Sequence, residues 1–175
     1  MRQQTKFATT FGASVVKDGD LYNQGVELGR FLAQRGYVVK CGGYGGLMEA
    51  VSRGVSEMGG KVIGIGILPF EGRPENPFLS EKIVVPDLFD RLRLLTADSE
   101  LFVVQRGSIG TLNELFAVWV LKYALGRDIR ICLIGEEYQA LYNCPFIPPE
   151  RLGEIEVFNT LEEFKASFDE EEELF

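Results

Sequence analysis

The sequence predicts a Rossmann-like α/β fold: a doubly wound, mostly parallel sheet with helices on both faces. Short apolar runs alternate with amphipathic stretches from one end to the other, as repeated βα units require. Glycine-containing turns follow several of the strand-like runs, where such a sheet binds its ligands. The 175 residues, 46% of them apolar, contain no Pro/Gly/Ser linker, which is the material of one domain with one sizeable core. We assign residues 1–168 to a single Rossmann-like domain and 169–175, "DEEEELF", to an acidic tail.

In chain order, strands are expected at "KFATTFG" (from Lys6), "YVVKC" (from Tyr37), "KVIGIGI" (from Lys61), "KIVV" (from Lys82), "LFVVQ" (from Leu101) and "IRICLI" (from Ile129), with "EIEVF" (from Glu154) a weaker candidate. Helices are expected over Leu21 to Arg35, Gly46 to Met58, Asp87 to Asp98, Thr111 to Leu125 and Leu161 to Glu172. The segment "LPFEGRPENPFLSEK", Leu68 to Lys82, carries Pro69, Pro74 and Pro77 and cannot sustain a helix. It stands where a crossover helix would, as a surface loop near the ligand side.

Composition excludes several functions. A net charge of -8, with no cluster of Lys or Arg, repels nucleic-acid backbones and anionic membranes. No window is apolar enough to span a bilayer, and "MRQQTKFATTFG" lacks the apolar core of a signal peptide, so a cytoplasmic protein is expected. Cys41, Cys132 and Cys144 are odd in number and far apart, and read as small hydrophobes rather than disulfides or metal ligands. Histidine is absent, which removes His triads and most zinc sites and leaves acid/base work to carboxylates, Tyr, Lys or water. No metal or cofactor is called for.

Three turns are candidates for holding an anion: "FGAS" (Phe11 to Ser14), "CGGYGG" (Cys41 to Gly46) and "RGSIGT" (Arg106 to Thr111). Their small residues, Gly12, Ser14, Gly43, Gly45, Gly46, Gly107, Ser108, Gly110 and Thr111, let backbone N–H groups approach a phosphate. The dinucleotide fingerprint fails, because "GYGGLM" has methionine where its third glycine belongs, and no Walker A pattern exists. Thr111 and Glu114 have the spacing of a capping box, which would fully occupy that carboxylate, and "TLEE" at Thr160 repeats the pattern. Cap and catalyst are about evenly balanced for Glu114 on these grounds.

Arg91 falls on or beside the apolar stripe Leu88, Leu92 and Leu95, so it needs a partner: Asp87 or Glu114, or a bound phosphate or substrate. Arg93 reads as surface. The helix after Thr111, "LNELFAVWVLKYALG", is apolar nearly all round and ends at Gly126. It therefore lies mid-domain or presents a side, with Trp119 or Phe116, to a second subunit, and a homodimer or higher homo-oligomer is expected.

The segments "GVELGRFLAQRGYVVKCGGYGGLMEAVSRGVSEMGGKVIGI", "KIVVPDLFDR" and "GSIGTLNELF" resemble, in order and spacing, the LONELY GUY (LOG) family of nucleoside 5'-monophosphate phosphoribohydrolases, often called lysine decarboxylases. The likeness runs from about Phe11 to Ile134. The family's P-G-G-x-G-T-x-x-E signature falls on Arg106, Gly107, Ser108, Ile109, Gly110, Thr111 and Glu114, with proline replaced by arginine and the second glycine by serine. Its Arg-Lys pair falls on Arg91 and Leu92. The resemblance implies catalytic roles for Arg91 and Glu114, and hydrolysis of a nucleoside 5'-monophosphate, or of a related small phosphorylated ligand, to base and ribose 5-phosphate. The altered signature keeps a second function open, a non-catalytic nucleotide- or cofactor-carrying module. Pyridoxal chemistry finds no marked Schiff-base lysine among Lys40, Lys61, Lys82 and Lys122.

Overall fold

The computed structural model describes residues 5–172. Residues 1–4, which begin the supposed leader-free start, and 173–175 of the acidic segment lie outside that range. Seven strands, β1 (Lys6–Phe11), β2 (Tyr37–Cys41), β3 (Val62–Ile67), β4 (Glu81–Val85), β5 (Leu101–Val104), β6 (Arg130–Ile134) and β7 (Glu156–Phe158), form one sheet in the order β4-β3-β2-β1-β5-β6-β7. Each described pair is parallel, and the weak candidate before Phe158 is the edge strand, pairing Cys132 with Glu156. The order reverses between β1 and β5, so a crevice opens beyond their carboxyl ends.

Helices α1 (Gly19–Gln34), α2 (Leu47–Glu57) and α5 (Leu161–Glu172) cover one face over Leu32, Val39, Val51 and Phe164; α3 (Leu88–Thr96) and α4 (Ile109–Leu125) cover the other over Phe11, Phe102, Leu95 and Val118. Helices α1 and α4 both start earlier than expected. α1 starts before Leu21 because the Asp18 carboxylate accepts from the N–H groups of Asp20 and Leu21 at 2.9 and 3.4 Å. α4 starts before Thr111, with Ser108 in the extended cap position, so Thr111 and Glu114 form no capping box. The other copy is a cap: Thr160 Oγ1 accepts from Glu163 N at 3.2 Å, and Glu163 Oε2 accepts from Asn159 N at 2.8 Å.

The proline-rich segment begins as a 3-10 turn, Leu68–Phe70, and runs back to β4 without a helix. Residues 136–143 and 149–154 are 3-10 turns filling the β6–β7 crossover. Cys41 and Cys132 are buried as expected, whereas Cys144 is partly exposed, because it closes one of those turns rather than sitting in a strand. α5 carries the acidic segment to Glu172, and Asp169 pairs with Arg35 at 2.5 Å. Among the described residues no helix is long and apolar enough to cross a membrane.

The tightest packing is between α1 and α2. A Cβ on Gly29 would lie 2.1 Å from Val51 O, and one on Gly54 would lie 2.0 Å from Val26 O. The two backbones thus touch through reciprocal glycines. Gly29→Ala would gain about 1 kcal/mol of helix propensity and incur an overpacking cost of about 1–3 kcal/mol. With backbone as the obstacle, the cost wins, and a lowered urea midpoint is expected; an unchanged or higher midpoint would show that the helices separate freely.

Candidate active site

The three glycine turns meet at the crevice between β1 and β5. Ala13 N donates to Arg106 O at 3.0 Å and Leu47 N to Ala13 O at 2.8 Å, so the β1 turn is locked between the β5 turn and the start of α2. Gly46 makes this possible: its φ is +65°, and a Cβ there would lie 2.3 Å from Ala13 O. Gly12, Ser14, Ser108, Gly110, Thr111, Arg91 and Glu114 line one cavity of about 170 Å³. Gly107 lies just outside it, beside Ser14 and Arg106, and packs so closely on Thr111 that a Cβ would fall 2.0 Å from the hydroxyl. Gly43 lines the neighbouring cavity. Gly45 and Gly46 pack against the backbone of Ala13 and Ser14, where α2 begins.

At the bottom lie Arg91 and Glu114, 8% and 9% exposed. Arg91 Nη1 donates to Glu114 Oε1 at 3.0 Å, and Arg91 Nε donates to Ile65 O at 2.8 Å. Asp87, the other partner considered, is occupied in capping α3 through Phe89 N and Asp90 N. Burial pushes the Glu114 carboxyl up to about 6, with the Arg91 guanidinium holding it below what burial alone would give. The α4 N-terminus has no side-chain cap. Its first-turn N–H groups and the positive end of its dipole are therefore available at the cavity wall for an anion.

The altered signature positions do not enter the pair. Arg106 is exposed and lies 3.6 Å from Glu137, and Leu92 is half-buried outside the cavity lining. Sequence reasoning missed Gly42, Tyr44, Phe70 and Arg73. A Cβ on Gly42 would fall 2.0 Å from Arg91 Nη2 and 2.5 Å from Met48 Sδ. Tyr44, Phe70 and Arg73 line the cavity from the glycine turn and the proline-rich segment. The only signal for Gly42 was the doubled glycine after Cys41. No group of three or more His, Cys, Asp or Glu side chains placed to hold a metal ion occurs among the described residues.

Two outcomes follow from this geometry. Gly42→Ala pushes on the far end of Arg91, so we expect the pair to open and ligand binding to suffer more than the melting temperature; equal binding by the variant would refute the contact. A carboxyl with a higher pKa folded than unfolded stabilises the fold when protonated. That contribution is complete below the ordinary 4.5 and is lost as pH rises through about 6. Between pH 4.5 and 7 the parent should lose about 2 kcal/mol relative to Glu114→Gln in denaturant titrations, and a constant gap would contradict it.

Comparison with known proteins places this geometry among relatives. The model of the SLOG cluster4 family matches residues 7–139. A probable cytokinin riboside 5'-monophosphate phosphoribohydrolase of Oryza sativa subsp. japonica is 37% identical over 111 residues, covering 61% of this chain and 44% of its own length. A cytokinin riboside 5'-monophosphate phosphoribohydrolase of Mycobacterium tuberculosis is 29% identical over 118 residues, covering 66% and 63%. The chain thus spans less than two thirds of the length of these relatives. Among solved structures, TM1055 superposes with a TM-score of 0.74 at 29% identity, over 95% of this chain and 99% of that one. The molybdenum cofactor binding protein of Rippkaea orientalis gives 0.76 at 17% identity over 95% and 97%, a likeness of fold alone. With its model matched across all three glycine turns and both buried charges, the chain belongs to the SLOG cluster4 family.

Proposed function

We propose that the protein hydrolyses the N-glycosidic bond of a nucleoside 5'-monophosphate, releasing base and ribose 5-phosphate. The observation that carries this is the buried Arg91–Glu114 pair facing an uncapped helix N-terminus across one cavity. The phosphate would take the N–H groups at Gly107 to Thr111, with the Thr111 hydroxyl beside them. The ribose then lies over Glu114. Cleavage develops oxocarbenium character on the sugar, which the Glu114 carboxylate stabilises, while Arg91 orients the substrate and fixes the carboxylate. The relatives' phosphoribohydrolase names support the same reaction for this chain.

None of the four lysines considered for Schiff-base chemistry lines this cavity. Lys40 donates to Leu94 O and Ala97 O, and Lys122 to Glu154 O. The second reading, a carrier that binds without cleaving, is favoured by one feature: Arg91 and Glu114 already satisfy each other. Chromatography of base released from a panel of nucleoside monophosphates separates the two. Free base from the parent, lost by at least about a hundredfold in Glu114→Gln and in Arg91→Ala, supports the hydrolase; nucleotide binding without release supports the carrier. Because the carboxylate is the working form, kcat/KM should fall as pH drops through about 6. A fall above that pH would make Glu114 a proton donor instead.

We also infer a homodimer formed through α4. Trp119 is buried, with Nε1 donating to Glu154 at 2.8 Å, and together with Phe116, Val120, Tyr123 and the 91%-exposed Phe146 it lines an open apolar groove of about 360 Å³. Val120→Glu should halve the sedimenting mass with the fold intact, and a parent that sediments as a monomer would end this inference. The burial of Cys41 and Cys132 as small hydrophobes suits a reducing, cytoplasmic compartment.

A further inference from the structure

The proline-rich segment is held at its base and exposed at its tip. Asn76, buried, donates through Nδ2 to Ser52 Oγ at 3.0 Å and accepts from Phe78 N at 3.1 Å, and Ser80 Oγ accepts from Val62 N at 3.0 Å. Residues 71–75 between these anchors and the 3-10 turn are exposed and overhang the crevice. There the Arg73 guanidinium lies 3.7 Å from the centroid of the Phe70 ring. Phe70 meets Tyr44 edge-on with centroids 5.8 Å apart, and Arg91 faces the other end of this column, 5.8 Å from the Tyr44 ring. Tyr44 is fixed by Ile67 N, which donates to its hydroxyl at 2.9 Å. A column of planar groups thus leads from the buried ion pair to the loop tip.

That column is shared by two cavities. The one around Arg91 and Glu114 ends at Tyr44, Phe70 and Arg73, and a second, of about 140 Å³, begins at the same residues and continues to Glu71, Glu75, Lys82 and Val84. Together they reach the lower end of the usual small-ligand range, about 300 Å³. Lys82 is neutralised by Glu75 at 2.9 Å, but no carboxylate of a described residue pairs with Arg73, whose head group rests on the ring. A guanidinium stacked on an aromatic ring at a cavity mouth is suited to a further planar group. With phosphate at the α4 N-terminus and ribose at Glu114, the remaining planar part of the substrate is the base.

Resting on the hydrolase reading for the placement of phosphate and ribose, we propose that this second cavity is the base subsite, with the base stacking on the face of the Arg73 guanidinium that Phe70 leaves open. Its rim of Glu71, Glu75 and Lys82 selects bases with free polar edges over bases bearing a bulky apolar substituent. Such a substituent would bury those charges without offering them a partner.

Calorimetric binding of AMP, N6-isopentenyl-AMP and ribose 5-phosphate to Glu114→Gln, where turnover is stopped, tests this; thermal shift of the parent repeats the ranking. AMP should bind roughly tenfold more tightly than its isopentenyl counterpart. Adding Arg73→Ala should weaken AMP by about three- to tenfold and leave ribose 5-phosphate unchanged, and Arg73→Lys should not restore the loss. Equal weakening of both ligands, rescue by lysine, no effect of either substitution, or tighter binding of the isopentenyl form would each overturn the proposal. This pattern of binding with no base release from the parent would support the base subsite and defeat hydrolysis; absence of any AMP binding would defeat both.

Discussion

The pair formed by Arg91 and Glu114 sets the demands on everything around it. Two opposite charges taken out of water recover their solvation only if their separation is fixed and their remaining donors are met. Arg91 therefore binds both Glu114, on α4, and Ile65 O, in β3, which makes it a tie between α3, the sheet and α4. α3 must then be held still. Its C-terminal carbonyls receive Thr9 Oγ1 at Leu95 O (2.7 Å), Lys40 Nζ at Leu94 O and Arg127 Nη1 at Thr96 O. Cations at that end also complement the helix dipole. Burial lowers the pKa of Lys40, and the carbonyls around it are what make a buried lysine tolerable there.

Topology explains why this polar layer lies beside the glycine turns. In a parallel sheet every strand ends on the same side, and only where the order reverses do two neighbouring connections diverge onto opposite faces. Here those connections are Gly12 to Ser14, leading to α1, and Gln105 to Ser108, leading to α4. The gap between them is enforced by the winding. The hydrogen bond from Ala13 N to Arg106 O keeps it narrow.

Much of this was legible before any coordinates. Apolar runs and glycine turns located the seven strands and the crevice, since both signals are local in sequence. The two T-x-x-E copies mark the boundary of that method. Thr160 Oγ1 accepts from Glu163 N and starts its helix; at Thr111 the helix has already begun, at Ile109, so it passes through Thr111 and Glu114 is turned inward. Four letters cannot encode which residue begins the first turn. Gly42 and Tyr44 were illegible for another reason: each matters through contact with a residue distant in sequence, Arg91 for the first and Phe70 for the second, while Arg73 joins that column through Phe70, three residues before it in an irregular loop.

Helix α4 shows how one element can answer two constraints. Its inner side buries Glu114, Leu115, Val118 and Trp119 against the sheet, while Phe116, Val120 and Tyr123 remain about half exposed on the other. An apolar pattern all round told only that both sides want cover; the stacking of Phe116 on Trp119, at 6.0 Å and 4°, ties the outer surface to the inner one. Anything packed on the outer side restrains rotation of the helix about its axis. Rotation is the motion that would lengthen the Glu114–Arg91 contact, because the carboxylate projects sideways from α4 toward a guanidinium anchored on β3. Cover for the outer face is therefore also support for the buried pair, and the surplus of apolar surface on α4 has a mechanical reason to accompany the carboxylate it carries.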